Sequence, residues 1–143
     1  MIVTGDHGQV PAEPAREVAI DGFPEIVAHL ARPPTGDRRA AFLTARPGHV
    51  EELTSSLGRV LPAGHQIVSL PRALAAGLFG PPPYHPEISE RLGDLLVLVP
   101  SPAGLTYRLP GARPRERFLR GAHGGLDPAE LTIPLVSAPL NEI

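Results

Sequence analysis

The segment from Asp94 to Val99 sets the tightest limit on the fold. Leu95, Leu96, Val97, Leu98 and Val99 are apolar at every position, with no polar alternation. A strand of this kind needs cover on both faces, so it is expected at the centre of a sheet. Residues 40–80 supply the cover. Ala40–Ala45 reads as a buried strand, and Pro47-Gly48 turns the chain. Val50, Leu53, Leu57, Val60 and Leu61 then form a helical stripe over 49–61. Glu51 and Glu52 lie in its first turn and Arg59 in its last, as the helix dipole favours. Gln66–Leu70 reads as a second strand and Pro71–Leu78 as a second short helix. The order strand–helix–strand–helix predicts an α/β fold.

Nineteen prolines and fifteen glycines punctuate the 143 residues. This approaches a low-complexity composition, but 42% hydrophobic residues and a net charge of −2 argue for a folded chain. Met1–Thr4 reads as a β-branched, buried strand that starts at once, a hint that the chain is the C-terminal part of something larger. Residues 9–24 are expected as a loop, and Pro24–Leu30 as a short helix started by its proline. Residues 32–39 break the chain again, and 80–86 form a rigid proline connector before one or two helical turns over 87–92. Leu105, Tyr107 and Leu109 alternate with polar residues and read as the second arm of a hairpin with the 94–99 strand. Asp127-Pro128-Ala129-Glu130 has the pattern of a capping box. A last strand runs from Ile133 through Ala138, with Pro134 confining it to an edge or an irregular start.

Several chemistries are excluded at once. Cysteine is absent, which removes disulfides, thiolate metal sites and cysteine nucleophiles. All thirteen basic residues are arginine, which removes lysine Schiff-base chemistry and a P-loop lysine. The balanced charge gives no ground for binding duplex nucleic acid. No apolar run approaches the about 20 residues of a membrane span, and the start does not read as a signal peptide, so a cytoplasmic location is the default expectation.

Two glycine-flanked histidine loops remain as candidate chemistry: Gly5-Asp6-His7-Gly8 and Gly121-Ala122-His123-Gly124-Gly125. A carboxylate and an imidazole at the exit of a strand are a compact ligand pair for a divalent metal. The glycines let the backbone turn sharply there, and sites in open α/β sheets gather at strand carboxyl ends. His29, His49, His65 and His85 stand in contexts of solvated or hydrogen-bonded residues rather than ligands. Arg113, Arg115, Arg117 and Arg120 crowd a polar loop with Glu116, which reads as a solvated loop before it reads as an anion site.

These motifs give the chain a resemblance to the alkaline phosphatase superfamily, closest to its type I phosphodiesterase/nucleotide pyrophosphatase members. Thr4-Gly5-Asp6-His7-Gly8 resembles the strand-end Asp-His-Gly motif, and Arg91–Leu98 a late strand entry. Gly121–Leu126, with Asp127–Glu130 and Ile133-Pro134-Leu135 behind it, resembles the closing histidine motif. The resemblance implies the C-terminal part of an alkaline-phosphatase-like sheet sandwich. Residues 1–35 and 81–143 would form the core, and 36–80 a small inserted α/β subdomain able to border the substrate cleft. It implies that Asp6 and His7 ligate one of two divalent metals, commonly zinc, and His123 the other. The implied activity is hydrolysis of phosphate mono- or diesters or of nucleotide pyrophosphate bonds, with a phosphoester or nucleotide as substrate. The chain holds no counterpart of the family's nucleophile and no Asp-x-x-x-His ligand pair. The expectation is therefore a partial site: an inert fragment, or one half of an enzyme completed by an N-terminal partner chain.

Overall fold

The computed structural model describes residues 1–112 and 119–139. Its strands are β1 (Ile2–Thr4), β2 (Val10–Pro11), β3 (Glu17–Ala19), β4 (Thr35–Gly36), β5 (Ala40–Leu43), β6 (Gln66–Ser69), β7 (Leu95–Leu98), β8 (Gly104–Thr106), β9 (Gly121–Ala122) and β10 (Leu135–Ser137). Its α-helices are α1 (Pro24–Val27), α2 (Val50–Val60), α3 (Leu70–Ala75), α4 (Ile88–Leu92) and α5 (Pro128–Leu131). None of the helices in the described residues is long and apolar enough to cross a membrane.

The main sheet has the order β4-β5-β7-β6, with β7 antiparallel to both β5 and β6. The uninterrupted apolar run is thus the central strand, and all four of its residues are buried. Successive side chains of a strand point to opposite faces. Leu95, Val97 and Val99 accordingly join Leu43, Ile26 of α1, and Leu53 and Leu57 of α2 in one core. Leu96 and Leu98 face the other way, onto Ala73 of α3 with Phe42, Val68 and Phe79. The stretches 36–80 and 81–143 therefore share one sheet, since β7 lies between strands of the first.

Three expectations are corrected. The segment 105–109 is not a hairpin arm on β7, because β5 and β6 already pair along both edges of that strand. Instead β8 runs parallel to β3, with Val18 opposite Leu105. The stretch 9–24 is consequently not all loop: β2 and β3 both find partners distant in sequence. Finally, β1 is not buried. Among the described residues it pairs with β10 alone, and Ile2 and Val3 are 73% and 51% exposed. Arg113, Arg115, Arg117 and Glu116 lie outside the described residues.

Leu53 and Leu57 are fully buried against β7. Truncating one of them removes transfer energy and leaves a cavity, worth about 2–5 kcal/mol. Leu53→Ala is expected to lower the urea unfolding midpoint accordingly, with the slope of the transition unchanged.

Candidate functional site

The candidate loops begin where short strands end. Asp6, His7 and Gly8 follow the exit of β1, and His123 follows β9 directly. The β2–β9 pair is antiparallel, with Val10 opposite Ala122 and Pro11 opposite Gly121. In such a pair the residues before Val10 come to lie beside those after Ala122. His7 and His123, at opposite ends of the chain, meet there. Their imidazole rings stack with centroids 3.9 Å apart and planes 18° from parallel.

A second set of bonds fixes this meeting. The Gly8 N–H donates to the Glu130 carbonyl at 2.8 Å. A Cβ at Gly8 would stand 1.9 Å from the Ala129 carbonyl oxygen, so only glycine permits the approach. The Glu130 carboxylate receives the Gly125 N–H at 3.0 Å and the Asp127 N–H at 3.3 Å. Asp127 Oδ1 in turn accepts from the Ala129 N–H at 2.9 Å, completing the expected capping box. Residue 130 thus touches one histidine loop with its main chain and the other with its side chain.

The ligand chemistry follows from the hydrogen bonds. His7 Nδ1 lies 2.8 Å from the Gly8 carbonyl. A carbonyl only accepts, so Nδ1 carries the proton and the neutral ring keeps its lone pair on Nε2. That nitrogen is 3.8 Å from Asp6 Oδ2. Asp6 Oδ1 accepts the His7 N–H at 3.0 Å, which holds the carboxylate against its neighbour. Two electron-pair donors therefore face each other across a gap that a cation can bridge. His123 borders a cleft of about 370 Å³ with Gln9, Asp37, Arg38 and Arg120 on its walls. Arg38 ties that wall to the fold through Glu17 Oε1 and, at 3.2 Å, the Gly121 carbonyl.

The remaining histidines make hydrogen bonds, as their contexts suggested. His29 and His49 join Nδ1 to Nδ1 at 2.9 Å, His65 Nδ1 meets the Pro62 carbonyl, and His85 Nδ1 accepts the Glu87 N–H. Among the described residues, no group of three or more His, Cys, Asp or Glu side chains is placed to hold a metal ion.

The same arrangement of chain is found in solved structures. Human ectonucleotide pyrophosphatase/phosphodiesterase 5 superposes on 94% of this chain with a TM-score of 0.67 and 15% identity. The murine protein does so with a TM-score of 0.65 and 16% identity. This is part of an alkaline-phosphatase-like α/β fold. The chain spans 32% of the length of each neighbour. No known family profile matches the sequence, and no curated protein matches it.

Sequence reasoning missed Arg39 and the depth of Glu130 in this alkaline-phosphatase-like fold. Their side chains are 2% and 1% exposed and form an ion pair, with Arg39 Nε 3.0 Å from Glu130 Oε1. The capping-box pattern marked Glu130 as a helix-start residue, but nothing local separates Arg39 from Arg38 beside it. Burial alone would raise the Glu130 pKa. The Arg39 hydrogen bond, the Gly125 N–H, the Arg39 charge and the Asp127 N–H outweigh it and hold the group below its ordinary value.

Two outcomes are expected. Gly8→Ala forces the 6–8 loop off Ala129, which costs about 1–3 kcal/mol and removes the nuclear Overhauser contact between the His7 and His123 rings. For Glu130 the folded pKa lies below the unfolded one, so its contribution is complete above the ordinary value of 4.5 and is lost as pH falls through the folded pKa. Denaturation curves of wild type and Glu130→Gln are therefore expected to converge as the pH is taken below 4.5.

Proposed function

We propose that this chain supplies part of a two-metal phosphoester hydrolase centre, with Asp6 and His7 as donors to one ion and His123 as donor to the second. The observation that carries the reading is the 3.9 Å stack of His7 on His123. Ions in two-metal hydrolytic sites stand about 3.5–4 Å apart, and two parallel imidazoles this close would offer their in-plane nitrogens to one ion each. The free Nε2 of His7 beside Asp6 suits a borderline divalent metal such as zinc.

The donor set fits a share of each ion's coordination and not the whole. A zinc site takes about three or four protein ligands, and the chain brings two to one ion and one to the other. When bound, such an ion pair supplies charge neutralisation for a phosphoryl group. The chain's own residues do the positioning. The Gly8 carbonyl fixes the His7 tautomer, the stack fixes both ring planes, and Arg120 brings positive charge to the cleft beside His123, whose wall Arg38 anchors through Glu17. That charge suits the anionic substituent of a phosphate ester or nucleotide.

One observation favours completion by an N-terminal partner chain over an inert fragment. The β1–β10 ribbon carries Ile2 and Leu135 on one face and Val3 and Val136 on the other, and all four are exposed. A two-stranded ribbon is marginal by itself, and apolar residues on both faces call for cover. Such cover is what an N-terminal partner chain would bring.

Zinc titration followed by histidine ring-proton NMR tests the assignment. The His7 and His123 signals are expected to move first, ahead of His29, His49, His65 and His85, with weak affinity in this chain alone. Asp6→Ala and His123→Ala are expected to abolish that first phase. A first phase at the other histidines, or one that survives both substitutions, sinks the reading.

A further inference from the structure

Arg39 and Glu130 are buried, charged, and outside the donor set. Taking a carboxylate and a guanidinium out of water is expensive, and an apolar pair of similar volume often stabilises a fold as well or better. Their bonding is directional in a way an apolar pair could not match. Arg39 Nη1 donates to the Val99 carbonyl at 2.7 Å, and the Arg39 carbonyl accepts the Val99 N–H at 3.0 Å, so this arginine is locked to the end of the central strand. Arg39 Nε and Nη2 then reach the two oxygens of Glu130. The same carboxylate takes the Gly125 and Asp127 N–H groups, which uses the about four acceptor sites a carboxylate offers. Gly125 lies two residues after His123. The Glu130 carbonyl holds Gly8, the residue after His7. A Cβ at Gly125 would stand 2.8 Å from Glu130 Oε2 and 3.1 Å from Arg39 Nη2, so the loop lies directly on the pair.

We infer that Arg39 and Glu130 are positioning residues that transmit the rigidity of the main sheet to both histidine loops and hold the His7 and His123 rings in stacking register. Arg39 is fixed to β7 and Glu130 is fixed to Arg39. Both loops hang from Glu130, one on its side chain and one on its main chain. The consequence for ion uptake rests on the proposed metal centre; the stacking itself does not.

The test uses the full chain with Arg39→Met/Glu130→Leu, an apolar replacement of similar volume, and zinc chloride as probe. The variant is expected to unfold cooperatively and to keep the wild-type amide shifts of Leu43 and Val97 and the His29–His49 signals. It is expected to lose the ring contact between His7 and His123, and its first-phase zinc affinity to fall about 10–100-fold, the usual range for loss of a partner that orients ligands. A folded variant that keeps the ring contact overturns the inference and leaves the pair a merely structural one. Should the double variant fail to fold, Gly125→Ala takes its place: it pushes the loop off the pair while Arg39 and Glu130 stay, and retention of the ring contact there overturns the inference equally. If wild type shows the ring contact but no zinc phase at these histidines, the metal centre fails while the positioning claim is still decided by the ring contact alone.

Discussion

The carboxylate of Glu130 has almost no water and four hydrogen-bond donors, and that balance holds the two histidine loops together. Without Arg39 the buried charge would be unpaired, at a cost of about 3–5 kcal/mol. Without the Gly125 and Asp127 N–H groups, two oxygen lone pairs would lose their partners. The four donors come from three places: two from Arg39 just before β5, one from the glycine turn after His123, and one from the cap of α5. The pair therefore works as a junction among elements too short to be stable alone. A two-residue β9 and a four-residue α5 have little cooperative strength of their own. They are held where the junction puts them.

The junction is rigid because the sheet behind it is rigid. β7 presents alternate residues to two cores, so neither face of the strand can shift without disturbing packing on the other side. Val99, directly after β7, contributes its side chain to one core and both its backbone groups to Arg39. The central strand is thus coupled to the histidine loops through one residue of backbone and one guanidinium. Gly8 and Gly125 are the matching requirement on the loop side, since any side chain at either place would occupy space already taken by Ala129 or by the ion pair.

What the sequence reveals follows from how local each signal is. The apolar run 95–99, the α2 stripe and the Asp127 capping box are patterns within a few residues, and the structure contains all three. The two histidine loops were legible because glycine flanks an ionisable residue in both. The β2–β9 and β3–β8 pairs were not, because strands of two or three residues have no periodicity to read, and their partners lie far along the chain. The hairpin reading of 105–109 failed for a related reason. Alternation marks a strand but does not name its neighbour, and both edges of β7 were already taken. Arg39 is the clearest case. It stands beside Arg38 in the same charged dipeptide, and only the fold turns one to Glu17 and Gly121 and buries the other against Glu130.

The Asp6–His7 loop and the uncovered ribbon are two aspects of one local geometry. β1 leads within two residues into Asp6 and His7, and its partner β10 leaves α5, which carries the Glu130 junction. Ile2, Val3, Leu135 and Val136 are all exposed on that ribbon, and among the described residues no three His, Cys, Asp or Glu side chains gather beside it to hold an ion. Burying one such side chain is worth about 1.5–3 kcal/mol, so covering the ribbon would supply binding energy for whatever packs there. A segment seated against β1 would arrive beside the Asp6–His7 loop, so under the proposed metal centre it could add donors there. Ion binding and cover of the ribbon would then be thermodynamically linked, each strengthening the other by the same factor.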